Sequence, residues 1–321
     1  MDLLDNYLLN ELKGNCRASY SKLADKYEIS KDEIGIRISR LVAQHFILKF
    51  TVVPSPSLFG YNKAILCFRS REPLDEDRIT LLGINPNVEF ISVGRPLSEG
   101  FSLIYYRTLD EIEEVVKYFQ QFHPEFEEIR TFPIQDLSDE DIKELKRDLV
   151  LLFQKIDWLM LSHLRGEGRL SLTDLSKRTN IDLKTIVERL NFLRTNGLII
   201  ETININPGNQ PRKLWAVFRI ELSLFTRPLY EELKRDLSSQ FGASFWSCWK
   251  ILDQPALLLS FFCVNFQEFE KTQTYLSDIP GLKSIEYFLG GATYYFPDFR
   301  DELLEEKRSH GWFSPEQWVG R

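Results

Sequence analysis

The chain has 321 residues, 43% of them hydrophobic and 27% charged, and a formal net charge of −7. No apolar run approaches the ~20 residues that a bilayer-spanning helix needs. The chain opens directly into a helical pattern without a signal-peptide profile, so a cytoplasmic protein with no membrane partner is expected. Cys16, Cys67, Cys248 and Cys263 form no CxxC pair and have no histidine at ligand spacing. They read as buried free thiols, and no metal or cofactor is expected.

The pattern predicts helices at about Leu3–Lys13, Ser21–Tyr27 and Lys31–Gln44, the last with Ser30 as its N-cap. His45 stands where a glycine stop is usual, and Phe46–Val53 reads as a strand. Leu4–Phe50 recurs at Ile156–Thr202 with a constant offset of 152 residues, no gap, and 12 identities in 47 positions. A period this long marks a duplicated module and not a solenoid. In the second copy Ser171 and Asp182 cap the second and third helices, Gly197 is the left-handed stop, and Leu198–Ile205 is the strand. Two short helices joined by a tight turn, with a strand after the second, is a winged helix-turn-helix. The second helix of such a pair enters a DNA major groove.

Between the copies, Ala64–Phe68, Val88–Val93, Phe101–Tyr106 and Phe126–Phe132 read as strands, with helices at Asp75–Leu82 and Leu109–Phe122. That order predicts two helices on one face of a four-stranded antiparallel sheet, a ferredoxin-like arrangement. Ser138–Phe153 is a charged connector helix. After the second copy the same order recurs more loosely: strands at Leu214–Glu221, Ser244–Leu252, Ala256–Val264 and Leu282–Leu289, and helices at Pro228–Ser239 and Phe266–Leu276. Asp298–Lys307 reads as a charged helix, followed by an aromatic tail whose expected role is to fold back on the body, docking of a partner being the alternative.

Leu4-Asp5-Asn6, the Ile29-Ser30 to Phe46-Ile47 segment and Leu58-Phe59-Gly60-Tyr61 together resemble the leucine-responsive regulator/AsnC (Lrp/AsnC) family of transcription factors. The resemblance implies a βαββαβ effector and oligomerisation domain behind each DNA-binding module. The fold class is therefore α+β, a tandem duplication: winged helix at 1–53, ferredoxin-like domain at 58–136, connector at 137–154, second winged helix at 155–213, second ferredoxin-like domain at 214–296, and helix with tail at 297–321. The halves are expected to pair within one chain as a pseudo-dimer that reads two unlike half-sites. A homodimer of that unit would carry four winged helices.

The expected partner is double-stranded DNA. The winged helices are the least acidic parts of an acidic chain: residues 1–50 hold eight Lys/Arg against seven Asp/Glu, and residues 150–213 hold ten against six. Candidate base readers are Ser30, Lys31, Asp32, Glu33, Arg37 and Arg40 in the first copy. In the second they are Asp182, Lys184, Thr185, Glu188, Arg189 and Arg194. Arg or Lys can read guanine, and Glu can accept from cytosine. Arg37 and Arg189 share a slot and are the leading pair; the competing reading is an ion pair to Glu33 or Glu188. Lys13/Arg165, Arg17/Arg169, Ser19/Ser171, Ser21/Thr173, and Arg212 and Lys213 of the second wing are candidate phosphate contacts. That wing is the longer and more basic one, and a minor groove is within its expected reach. The family resemblance places an effector, often an amino acid, near Gly94–Gly100, where Gly94, Ser98, Glu99 and Gly100 would hold it; a plain hairpin is the alternative.

Two other classes compete. Siroheme decarboxylases share this fold and look for histidine and arginine in the second strand, but His45, His123, His163 and His310 all lie elsewhere. A chromatin-like protein needs more positive charge. The expected function is a sequence-specific regulator and not an enzyme.

Overall fold

The computed structural model describes residues 2–94, 98–135, 152–209 and 214–309. Most of the expected connector helix and the aromatic tail lie outside the described residues, as do Arg212 and Lys213.

The first module begins with α1 (Leu3–Gly14), where Asp2 and Asp5 form a reciprocal capping box. Ser19, not Ser21, opens α2 (Tyr20–Tyr27) by accepting from the Lys22 N–H. Ser30 caps α3 (Lys31–Ala43), and β1 (Ile47–Pro54) follows. His45 takes the left-handed φ of 52° that Gly197 supplies, at 63°, in the other copy.

Next come β2 (Asn62–Ser70), α4 (Glu76–Gly83), β3 (Val88–Val93), β4 (Glu99–Tyr106), α5 (Leu109–Phe122) and β5 (Phe126–Gln135), with strand order β5-β2-β4-β3. Because side chains alternate along a strand, Ala64, Leu66 and Phe68 meet Leu82, Ile112 and Phe119 of the helices. Ile65 and Cys67 point to the opposite face.

The second half has α6 (Lys155–Leu164), α7 (Leu172–Thr179), α8 (Leu183–Thr195) and β6 (Ile199–Ile205). Then follow β7 (Leu214–Leu222), α9 (Arg227–Phe241), β8 (Phe245–Ile251), β9 (Ala256–Cys263), α10 (Phe266–Ser277), β10 (Leu282–Gly290), β11 (Ala292–Tyr295) and α11 (Phe299–Ser309). The short β11 was not anticipated; it follows a Gly290-Gly291 break that separates it from β10.

The halves join in three ways. The two wing strands pair with each other, β1 against β6, antiparallel from Ile47↔Ile205 to Pro54↔Ile199. The two sheets merge into one of nine strands among the described residues, in the order β10-β7-β9-β8-β5-β2-β4-β3-β11. The junctions are reciprocal: the end of β5 pairs with β8 (Ile134↔Ile251), while β11 crosses back to β3 (Ala292↔Val93). The sheet faces turned away from the helices share one apolar core. In it Trp215 packs 4.9 Å from Phe101 and 5.7 Å from Phe90, and Phe132 lies 6.4 Å from Phe288. On that face Arg130 donates to Glu286 at 2.6 Å, tying β5 to β10.

A buried charged cluster anchors α11. Arg300 pairs with Asp298 and reaches Glu89 at 2.9 Å, while Arg165 bridges Asp298 (3.2 Å) and Asp301 (2.6 Å). Burial acts to raise the Asp298 carboxyl. The charges of Arg300 and Arg165 outweigh it and hold the group below its ordinary value.

Candidate nucleic-acid interface

Each helix-turn-helix is set by local chemistry. Glu28 and Asn180 hold the left-handed conformation that turns the chain between its second and third helices, at φ 54° and 56°. Ile34, Ile38 and Leu41 bury one face of α3, and Ile186, Leu190 and Leu193 bury the same face of α8. The opposite face is left to solvent. On α3 that stripe is Asp32, Gly35, Ile36 and Ser39, and on α8 it is Lys184, Val187, Glu188 and Asn191, with Gly35 and Val187 half-buried.

The leading pair of sequence-expected readers does not lie on that stripe. Arg37 donates to Asp5, Asp2 and Glu33, and only 16% of its side chain is exposed. Hydrogen bonding to Asp2, with Asp5 and Glu33, raises its pKa further. Arg189 donates Nε and Nη2 to Asp157 at 3.0 and 2.6 Å, and Nη2 also reaches the Leu152 carbonyl. Asp5 and Asp157 are fully buried, so their charges require a partner. This corrects the base-reading expectation for Arg37 and Arg189 toward the competing ion pair. Glu33 is one partner of Arg37, but Arg189 pairs with Asp157 instead of Glu188. A signal was present, since Asp5/Asp157 and Arg37/Arg189 are opposite charges identical in both copies.

Arg40 is held by Asp5 at 2.8 Å, and Arg194 is bidentate to buried Glu201 at 2.8 and 2.9 Å. Ser30 and Asp182 are spent as caps, and Thr185 gives its N–H to Asp182. Lys31 and Lys184 project into solvent, the latter 84% exposed and 3.9 Å from Glu188. On the second and third helices of the two modules, exposed Lys22, Lys26, Lys31, Arg40, Lys177, Arg178, Lys184 and Arg194 stand beside exposed Asp25, Glu28, Asp32, Asp174, Asp182 and Glu188, so the excess of positive charge is small. Ile36, Ser39 and Asn191 are exposed beside them, and their places on the i, i+3, i+4 stripe are the sequence signal for that exposure.

Several expected phosphate contacts are turned inward. Arg17 donates to the Gly168 and Leu170 carbonyls, and its repeat mate Arg169 donates to the Ala18 carbonyl. Arg169 also lies over Tyr20 and Phe50, at 4.6 and 5.3 Å. Lys13 donates to the Trp246 carbonyl and caps its ring at 4.4 Å, while Arg165 serves Asp298 and Asp301. Ser19 and Ser171 are N-caps, and Ser21 and Thr173 remain exposed. The wing strands β1 and β6 pair with each other, while residues 210–213 of the second wing lie outside the described residues. This exchange clamps the two modules together. At its centre the Gly168 N–H meets the Phe50 carbonyl at 2.8 Å, and a Cβ on Gly168 would sit 2.5 Å from the Thr51 nitrogen.

The proposed effector residues form the end of a hairpin. The Gly94 N–H donates to the Glu99 carbonyl at 2.8 Å, the Ser98 carbonyl accepts from Ser70 at 2.7 Å, and the Glu99 carboxylate holds Arg69 at 2.8 Å. A Cβ at Gly100 would lie 2.3 Å from the Ser92 carbonyl, and one at Gly94 2.7 Å from that of Leu289. Glycine is needed at both places for close backbone approach.

Residues 153–200 match the family model described as winged helix-turn-helix DNA-binding. The chain carries a winged helix-turn-helix. An uncharacterised HTH-type transcriptional regulator of Pyrococcus horikoshii is 34% identical over 79 residues, 25% of this chain and 53% of that protein. The chain thus spans about half the length of that relative. A second such regulator, from Pyrococcus abyssi, is 26% identical over 147 residues, 44% of this chain and 97% of its own length. Both of these curated relatives are HTH-type transcriptional regulators. The siroheme decarboxylase NirDL aligns over 96% of this chain and 99% of its own, with a TM-score of 0.54 and 12% identity, a likeness of fold. Among the described residues no helix is long and apolar enough to cross a membrane, and no group of three or more His, Cys, Asp or Glu could hold a metal ion.

Proposed function

We propose that this protein is a transcription regulator of the Lrp/AsnC type, not an enzyme, that binds double-stranded DNA through two winged helices held in one chain as a pseudo-dimer. The observation that carries this is the solvent-facing stripe on both recognition helices, each presented by a complete helix-turn-helix. Specificity rests on base-edge contacts from those stripes. Lys31, Lys184 and Glu188 remain candidate readers, and Arg37 and Arg189 hold the helices in place. Immunoprecipitation of the crosslinked protein from its own cells, followed by sequencing, tests the reading. Discrete enrichment upstream of genes is expected; uniform coverage would indicate architectural binding, and no recovered DNA would refute both. An amino-acid effector at Gly94, Ser98, Glu99 and Gly100 should raise the melting temperature at millimolar concentration.

A siroheme-decarboxylase-like enzyme is the second reading. It is favoured by the nearly neutral winged-helix faces, since phosphate neutralisation dominates most DNA binding, together with the full-length likeness to NirDL. Against it, His123 is spent in a buried clamp, with Nε2 2.5 Å from Ser70 Oγ and Nδ1 3.0 Å from Arg78 Nη1. Titration with an iron tetrapyrrole, followed in the visible absorption spectrum, separates the two; a saturable spectral shift favours the enzyme.

A further inference from the structure

The two recognition helices agree where they are buried and differ where they are exposed. Ile34, Arg37 and Leu41 recur as Ile186, Arg189 and Leu193, and Ile38 becomes Leu190. On the outward stripe nothing recurs: Asp32, Gly35, Ile36 and Ser39 of α3 occupy the slots of Lys184, Val187, Glu188 and Asn191 of α8. Packing constrains the inner set, and the outer set is free to differ between the two heads.

The α3 stripe carries one large apolar side chain, Ile36, between the exposed polar groups of Asp32 and Ser39. Ile36 is 62% exposed. Gly35 beside it lacks a side chain although packing does not demand that: an added Cβ would make ordinary contact with the Tyr20 ring at 3.6 Å. A glycine inside a helix is unfavourable relative to alanine, and here it leaves the Ile36 side chain standing without a neighbour at its own level of the stripe. The α8 stripe puts Lys184 and Glu188, longer and charged, at the slots of Asp32 and Ile36. Lys184 extends into solvent, and Asn191 stands two turns along, its Oδ1 accepting from Arg194 at 3.0 Å.

We infer that the two heads read unlike half-sites by different chemistry: Ile36 of α3 seats against thymine methyl groups in an A·T-rich half, while Lys184 and Asn191 of α8 hydrogen-bond to purine edges in the other. This rests on the DNA-binding reading given above. In the major groove the thymine methyl is the apolar feature, guanine O6 and N7 suit Lys, and adenine N6 and N7 suit Asn. Pairing of β1 with β6 and the reciprocal Arg17 and Arg169 bonds fix the order and spacing of the halves.

Selection of randomised duplex DNA by the full chain, repeated with Ile36→Ala and Lys184→Ala, tests this. Both side chains are exposed, so both variants should fold. The wild type should enrich a bipartite motif with unlike halves. Lys184→Ala should weaken binding about 5- to 150-fold and flatten the purine-rich half alone. Ile36→Ala should flatten the thymine preference of the other half alone. A palindromic motif, or either variant flattening both halves, overturns the inference while leaving DNA binding intact. No enrichment by the wild type overturns the DNA-binding reading and the inference with it.

Discussion

Asp157→Ala should destabilise the second winged helix by about 3 kcal/mol. Asp157 is fully buried and accepts two bonds from Arg189, at 3.0 and 2.6 Å, plus the Gln154 N–H at 2.7 Å in a capping box. Removing one partner of a buried pair costs about 3–5 kcal/mol, because the other charge is left uncompensated. Arg189 keeps 15% of its side chain in solvent and the Leu152 carbonyl at 2.9 Å, which places the loss near the lower end. Asp157→Asn keeps the cap acceptor and loses the charge, so about half that loss is expected. Urea denaturation of Asp157→Ala, Arg189→Met and the double variant gives the coupling energy, expected near 2 kcal/mol since the two groups are in contact. A coupling under about 0.5 kcal/mol refutes the reasoning. So does an Arg189→Met protein of unchanged stability that no longer binds DNA, because the guanidinium would then be a base reader after all.

Gly168→Ala should loosen the clamp between the winged helices, since the new Cβ would sit 2.5 Å from the Thr51 nitrogen and 2.6 Å from the Phe50 carbonyl carbon; faster amide exchange at Val52 and Ile203 in the β1–β6 pair is the readout. Asp298 is held below its unfolded value of 3.8. The stability it supplies is therefore present above pH 3.8 and lost as pH falls through the lower folded value, and unfolding curves of wild type and Asp298→Asn should converge on acidification. Any DNA binding should show a shallow salt dependence. If exposed Lys22, Lys31, Lys177 and Lys184 are the side chains that meet phosphate, the slope of log K against log [salt] should be about −2 to −4, and anisotropy titrations at several salt concentrations measure it.

What the sequence by itself determined is local and periodic. The caps Ser30, Ser171 and Asp182, the left-handed stop at Gly197 and the stripes of Ile34, Leu41, Ile186 and Leu193 depend on neighbours within a turn or two of helix. Duplication made each signal legible twice. Val88–Val93 and Leu109–Phe122 were readable to the residue for the same reason, since alternation and helical periodicity are properties of short windows. The tertiary structure decided what the charged residues do. Arg37 and Arg189 look like surface readers in a helical projection, and only the fold brings the buried carboxylates of Asp5 and Asp157 to them from 32 residues away. Arg17 and Arg169 look like phosphate contacts, but the carbonyls that take them belong to the opposite half, about 150 positions distant. Pairing of the two wings, and the return of β11 to β3, are likewise long-range matches between strand edges. An edge carries no local mark of its partner, because backbone N–H and C=O groups are the same in every strand.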